Sequence, residues 1–526
     1  MTGSQRQATL AATILGSGVV FLDATVVNVA LPRIGAELPS AWFGVLEGEA
    51  YVYNGYLLTL SALLILAGAL TDYHGRRRLF TLGLVGFTVA SVLCGLAPTM
   101  ELLVLFRILQ GAAGALLVPG SLSIITAAFA GEERGRVFGL WAGASGATTI
   151  LGPVVGGLLV DGISWRMAFL VNVPILAVAL WATLRGVAES RDERATGRFD
   201  WLGSAVIAIG VGGLTFGAIY GQQREWSDPL AFVALAAGAL AAIAFPFLMA
   251  RSSNPLVPLH LFRSRNFTVT NISTLLIYGA LYVFLYFAAI FMQGTLGYTA
   301  SALGTALIPG FLPLVLFSTR FGAAAARHGP RWFMAAGPLL MALGLLWFVR
   351  LPNGSAPWLL RLGDPATWTP PGSYLVDVLP ALLGYGVGVM IMVAPLTTAL
   401  MASVPVENSG VASAVNNAIS RVGPQLVGAL IFVAITASFY ATLADRVPAL
   451  DVSSPQVRER FSPLNAPAPG VPPAQVAAAR EASTDAFHLA MLVAALLCLG
   501  GAAVNAAGIR NGHAAAVTRA PGSAPR

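Results

Sequence analysis

Fourteen apolar stretches, each long enough to cross a bilayer, run almost end to end through this chain: 10–31, 51–70, 79–97, 102–128, 137–159, 166–184, 201–220, 229–250, 267–292, 301–321, 332–350, 377–402, 411–437 and 485–508. In hydrocarbon every backbone N–H and C=O must find its partner inside the protein, which leaves only helices and closed barrels. A helix crosses the hydrocarbon in about 20 residues, whereas a barrel strand alternates over about 10. Unbroken apolar runs therefore predict an all-α integral membrane bundle of fourteen transmembrane helices. Composition agrees. Only 10% of residues are charged and 56% are hydrophobic, against about 25% charged in soluble domains.

The net charge of +7 does not point to nucleic acid, because basic residues of membrane proteins collect in cytoplasmic loops. Short even-numbered connections hold Arg76, Arg77, Arg78, Arg134, Arg136, Arg185, Arg191, Arg194, Arg198, Arg251, Arg263, Arg265, Arg320, Arg327 and Arg331; odd-numbered ones hold Arg33, Arg166 and Arg224. This asymmetry predicts a plasma-membrane protein with both termini cytoplasmic. The Pro-rich segments 351–376 and 438–484 read as long external loops. The first apolar run lacks a small-residue cleavage site and is expected to stay as a span. Cys94 and Cys498 fall inside apolar helices, so neither a disulfide nor a metal site is expected of them.

The chain repeats itself. GALTDYHGRRR (68–78) after the second span is echoed by GAAAARHGPR (322–331) after the tenth, Pro119 by Pro395, and Gly152-Pro153 by Gly423-Pro424. The offsets exceed one six-helix half by enough for two further helices, so the expected plan is six plus two plus six. Residues 1–190 and 267–508 form the pseudo-symmetric halves, 191–266 the insert, and 509–526 a flexible cytoplasmic tail. Repeated halves are how many transporters build alternating access around a midplane site.

Two intramembrane charges stand out. Asp23 is alone in an apolar run, where an ionised side chain costs about 2.5–3.5 kcal/mol on insertion scales and is by default a functional-site hypothesis. Burial disfavours the ionised form, so a carboxyl here is suited to loading and losing a proton. A purely structural acid, bonded by Thr25 or Asn28, is the alternative. Arg107, Gln110, Gly111 and Gly114 share one helix face, placing a fixed positive charge where it biases Asp23 or a substrate, or where it satisfies backbone carbonyls and locks packing. A third such charge, Arg421, follows Asn417 by one turn. Tyr278, Tyr282 and Tyr286, at steps of four, and Gln293 beyond them suit the wall of a cavity for aromatic ligands, or a lipid-facing belt.

LDATVVNVALP (22–32), FLVNVP (169–174), FDWLG (199–203), GALTDYHGRRR, RILQGAAGA (107–115) and GPVVGG (152–157) together resemble the fourteen-helix drug:proton antiporters of the major facilitator superfamily. The resemblance covers residues 8 to about 437 and implies the major facilitator fold, export of small amphipathic compounds, and a proton-coupling role for Asp23 and Arg107. It implies gating by Gly68, Asp72, Gly75 and Arg76, with Asp72 pairing an arginine of the other half when the inner gate is shut. It further implies that the helix of Gly152, Pro153, Gly156 and Gly157 seals the outer side, although small residues also serve ordinary packing. Thr148 stands where that pattern often has glycine, and Tyr73 where the gating motif has a basic residue. Gln110, Tyr278, Tyr282, Tyr286, Gln293, Asn417 and Arg421 are the expected cavity residues. A proton-coupled uptake symporter and a lipid or cell-envelope precursor flippase are the rival functions on this fold. No nucleophile motif, P-loop or metal-ligand spacing is present, so no enzyme activity, cofactor or metal is expected; the partners are a small substrate, protons and the bilayer, with the chain acting as a monomer.

Overall fold

The computed structural model describes residues 2–41, 45–191, 199–224, 226–361 and 363–511. Its helices are α1 (Gly3–Glu37), α2 (Val45–His74), α3 (Arg76–Gly95), α4 (Met100–Ala128), α5 (Gly131–Gly162), α6 (Met167–Leu170), α7 (Asn172–Gly186), α8 (Trp201–Gln223), α9 (Pro229–Arg251), α10 (Arg265–Gly294), α11 (Ala300–His328), α12 (Arg331–Phe348), α13 (Leu379–Ala402), α14 (Ser409–Arg446), α15 (Pro455–Arg460) and α16 (Pro473–Gly508). Among the described residues, thirteen of these segments, α6 and α7 counting as one, are long and apolar enough to cross a membrane. The fifth expected span falls in α5, a helix of 32 residues; several of its side chains, at 149–150, 153–154, 157 and 161, lie outside the described residues. Helix starts are capped as the sequence dictates: Thr99 Oγ1 accepts from Leu102 N at 3.4 Å and Asp228 from Leu230 N at 2.9 Å, each satisfying an otherwise unpaired first-turn donor.

The two halves repeat in detail. Gly75 and Gly329, matched in the sequence repeat, have φ of +109° and +86°, a region that L side chains rarely enter. Each begins the turn into the next helix, and each following helix start is held by a polar side chain from just beyond its half's last helix. Glu189 accepts from the amides of Arg77 and Arg78 at 3.0 and 3.1 Å, and Asn511 accepts from that of Arg331 at 3.1 Å.

The halves meet through glycine. A Cβ on Gly68 of α2 would lie 2.5 Å from the Gly410 carbonyl of α14, and one on Gly322 of α11 would lie 2.2 Å from the Gly135 carbonyl of α5. Backbone-to-backbone packing of this kind replaces the hydrophobic drive that lipid cannot supply. Between the halves, α8 packs against α2 and α14, and α9 packs on α8 through Gly210, Gly213, Gly217 and Gly238. The far side of α9 exposes Leu240 and Phe247, as a lipid-facing surface must. Residues 512–526 of the expected tail and 192–198 of the linker lie outside the described residues.

One expected loop is largely helical. In 438–484, α14 runs on to Arg446, α15 follows, and α16 begins at Pro473. Arg446 and Glu481 pair across these extensions. Phe461 and Leu464 are buried, with Tyr440 donating to the Phe461 carbonyl at 2.9 Å and Thr295 to the Leu464 carbonyl at 2.8 Å. Apolar anchors inside a Pro-rich stretch are what fold it down.

The packing yields a paired test. A Cβ on Gly386 would sit 1.7 Å from the Gly310 carbonyl, whereas one on Gly304 meets nothing within 4 Å. Overpacking costs about 1–3 kcal/mol, while Gly to Ala in an open helix position gains up to about 1 kcal/mol. Thermal melts in detergent are therefore expected to fall for Gly386→Ala and to hold or rise for Gly304→Ala.

Candidate functional site

Asp23 is fully buried and is the centre of a polar nest enclosed by α1, α2, α3, α4 and α7. Its Oδ2 accepts from Arg107 Nη1 at 2.5 Å; its Oδ1 accepts from Gln110 Nε2 and Asn172 Nδ2, both at 2.9 Å. Ser91 Oγ accepts from the same two amides at 2.9 and 3.4 Å. Arg107 also donates to Gln110 Oε1 at 2.6 Å and to the Val52 carbonyl at 3.1 Å, and its guanidinium lies 4.1 Å over the Tyr56 ring. Tyr56 in turn donates to the Val20 carbonyl at 3.0 Å, just before Asp23 on α1. Three donors around one carboxylate match its acceptor-only ionised form. Neither Thr25 nor Asn28 takes part; Thr25 Oγ1 donates to carbonyls of its own helix.

On the opposite side of α1 lies a cavity of about 520 Å³, lined by Val20, Phe21, Ala24, Thr25 and Leu31 of α1, by Tyr53, Asn54, Leu57 and Ser61 of α2, and by Thr215 and Ile219 of α8. Its other wall is Tyr282, Val283, Tyr286 and Phe287 of α10 with Ser420, Arg421, Pro424, Gln425, Gly428 and Phe432 of α14. The cavity extends toward the bundle end where α1 finishes and α2 starts. The acid and the cavity share a helix but not a face.

Of the seven expected cavity residues, Tyr282, Tyr286 and Arg421 line the space. The other four are not among the described residues that line it. Gln110 is buried in the Asp23 nest. Tyr278 packs against the second half's core, because steps of four residues drift about 40° each around a 3.6-residue helix. Gln293 is about 16 Å further along α10 than Tyr282, exposed and donating to the Ala289 carbonyl at 3.3 Å. Asn417 turns back onto Ser413 of its own helix, at 2.9 Å to the carbonyl. Asn172 and Ser91 were not singled out from sequence, though the asparagine in FLVNVP was an available signal: a lone amide in an apolar run needs partners.

The opposite bundle end is closed. Asp72 does not pair with an arginine of the other half; its ion pair is with Arg76, one turn on, at 3.1 Å, and its Oδ2 accepts from the Val411 amide at the start of α14 at 2.9 Å. Arg76 completes the latch by donating to the Val406 carbonyl. The acid thus bridges halves through a helix N-terminus, whose dipole and free N–H groups favour a carboxylate. In the second-half copy, Ala326 meets Gly135 of α5, where an added Cβ would lie 2.8 Å away. There the ion pair is peripheral, Arg327 with Glu132 at 2.6 Å. The close contacts of α5 with α11, at Gly135, Gly139 and Gly143, are also at this closed end; Gly152 and Gly156 instead face Thr25 and Val26 of α1. The side chains at Pro153 and Gly157 lie outside the described residues.

Two repeated helical halves, a cavity between them that approaches one end, and a latch at the other define a membrane transport protein. The chain belongs to the Major Facilitator Superfamily, whose family model matches residues 13–428. It is 35% identical over 437 residues to the multidrug resistance protein Stp of Mycobacterium tuberculosis, covering 83% of this chain and 77% of that one. It is 31% identical over 477 residues to the tetracenomycin C resistance and export protein of Streptomyces glaucescens, covering 90% and 85%. The human organic anion transporter MFSD10 (TETRAN) shares the fold with a TM-score of 0.57 at 14% identity, covering 96% of this chain and 100% of that one. The proton:xylose symporter XylE does so with 0.56 at 17%, covering 94% and 95%.

Two outcomes follow from this geometry. Removing one partner of a buried pair costs about 3–5 kcal/mol because the other charge is stranded. Arg107→Gln is therefore expected to lower the melting temperature sharply, and Asp23→Asn/Arg107→Gln to lose much less than the sum of the two single variants in a double-mutant cycle. At the closed end, Asp72→Ala removes the α14 cap, worth about 1 kcal/mol, or about fivefold in population. Alkylation of a cysteine placed at buried Ser409 should speed up by that factor.

Proposed function

We propose that this protein exports small amphipathic compounds across the plasma membrane in exchange for protons, by alternating access. The observation that carries the reading is the Asp23–Arg107 pair, sealed at 0% exposure on the side of α1 away from the cavity. An acid of this kind is reached by a proton but not by a drug-sized ligand. The names of the relatives, which speak of multidrug resistance and of resistance and export, support the direction of transport.

In this reading both termini are cytoplasmic, the latched end faces the cytoplasm and the cavity faces outward. Residues 1–190 and 267–508 are the moving halves, 191–266 the wall between them, and one chain suffices. Protonation of Asp23 from outside breaks its charge balance with Arg107 and favours release of substrate; loss of the proton to the cytoplasm restores the pair. Gly68, Asp72, Gly75 and Arg76 hold the inner gate, and Gly152, Pro153, Gly156 and Gly157 let α5 lie close to α1. Each proton moving down 100 mV supplies about 2.3 kcal/mol.

The test uses inverted vesicles and a panel of fluorescent compounds, with and without a protonophore. Wild type should accumulate substrate only with a gradient, and Asp23→Asn should lose that accumulation while still binding substrate. Gradient-driven accumulation at wild-type rates by Asp23→Asn would falsify the coupling role.

A further inference from the structure

The cavity carries a charge signature. Among the described residues that line it there is no aspartate or glutamate, and the one described side chain charged at neutral pH is Arg421. Its guanidinium makes no hydrogen bond or ion pair with any described residue; it lies 6.0 Å from the Phe21 ring centroid. Of the acids whose side chains are described, two are near in sequence to lining residues, and neither serves it. Asp23 is turned into the nest and paired with Arg107, and Glu49, one turn before Tyr53 on α2, is not part of the lining.

A second observation points the same way. Thr215 of α8 lines the cavity at 2% exposure, and its hydroxyl has no partner. Thr88, Thr126 and Thr183 in these helices donate to the carbonyl four residues back at 2.7 Å, whereas Thr270 and Thr436, outside the cavity, share the unpartnered state of Thr215. A buried polar group left open costs about 1–3 kcal/mol, and the half-buried Arg421 guanidinium has no acid among the described lining residues. The rest of the wall is aromatic, with Phe21, Tyr282, Tyr286, Phe287 and Phe432, and its volume is that of a site for a drug-sized ligand.

We propose that the cavity selects organic anions with an aromatic body, the oxyanion pairing with Arg421 and the ring lying among Phe21, Tyr282 and Tyr286. Organic cations are disfavoured there by like-charge repulsion with no acid to offset it. The inference rests on the reading of this cavity as the substrate site, and the anion's source is either a soluble aromatic acid or an anionic lipid headgroup.

The test is equilibrium binding to the full-length protein in phosphatidylcholine nanodiscs, without a gradient and with empty discs subtracted. Three probes share one ring system: naphthoate, naphthalenemethanol and naphthalenemethylammonium. Naphthoate is expected to bind tightest and the ammonium weakest, about tenfold or more apart. Arg421→Gln should erase the difference and Arg421→Lys should keep its sign, each compared at matched thermal stability. An ammonium that binds as tightly as naphthoate, a preference that survives Arg421→Gln, or no binding by any probe to the folded protein overturns the proposal. Phosphatidylglycerol in the disc separates the sources. Displacement of the probes from wild type but not from Arg421→Gln identifies a lipid headgroup, and no displacement identifies a soluble acid; both support the anion site. Because no gradient is present, failure here leaves proton-coupled export standing, and loss of coupling in vesicles leaves the anion preference standing.

Discussion

A carboxylate and a guanidinium held at 2.5 Å inside the first half set the terms for everything packed around them. Taking two such charges out of water costs several kcal/mol per ion, and attraction repays that only when the remaining donors and acceptors are also satisfied. Here most of that satisfaction is spread over five helices, with Arg107 Nη2 and Asn172 Oδ1 buried and left without a hydrogen-bond partner. Asn172 comes from α7, Ser91 from α3, Gln110 from α4, and the Val52 carbonyl and Tyr56 ring from α2. None of these helices can move far from α1 without stranding a charge or an amide. The first half is thereby tied together, as the proposed rocking of two halves requires.

Between the halves the design is the reverse. Contacts across the closed end rest on glycine, backbone carbonyls and one helix cap, not on a buried interhalf ion pair. Gly68 against Gly410 and Gly135 against Gly322 give close van der Waals contact that vanishes once the surfaces part. Asp72 supplies direction: its bond to the Val411 amide exists only while α14 abuts α2, whereas its bond to Arg76 stays within the first half. Opening therefore exposes no unpaired buried charge. A gate with two states of similar free energy needs contacts of this modest size, because a small bias then decides which state is populated.

Much of this was legible in the chain because membrane spans announce themselves by length, and because a charge in an apolar run has few innocent explanations. Asp23 and Arg107 stand out that way, and the repeat is visible in the matched glycines of 68–78 and 322–331, of which Gly75 and Gly329 both have positive φ. What was hidden depended on helix rotation or on partners distant in sequence. Tyr278, Tyr282 and Tyr286 look equivalent as a string, yet a drift of about 80° over eight residues carries the first off the cavity face. Ser91 is one serine among many until Asn172 and Gln110 converge on it. The partner of Asp72 is a backbone amide, which no side-chain pattern records. The helical character of 438–484 was masked by its prolines, which stand at helix starts and turns where they are tolerated.

Under the proposed coupling role of Asp23, the two faces of α1 let a proton and a substrate that never touch influence each other. Asp23 points into the nest while Phe21, Ala24 and Thr25 point into the cavity. Thr25 also packs on Gly152 of α5, where no side chain larger than hydrogen fits. Neutralising Asp23 weakens the set of contacts that fixes the rotation and tilt of α1, and any shift of α1 changes the cavity wall and the α5 contact together. The coupling is reciprocal, as linkage demands: a ligand that prefers one tilt of α1 must alter the proton affinity of Asp23 by the same free energy. No relay through the cavity is needed. A rigid helix with a charged side and a binding side is sufficient, provided the half behind it is held as tightly as this one is.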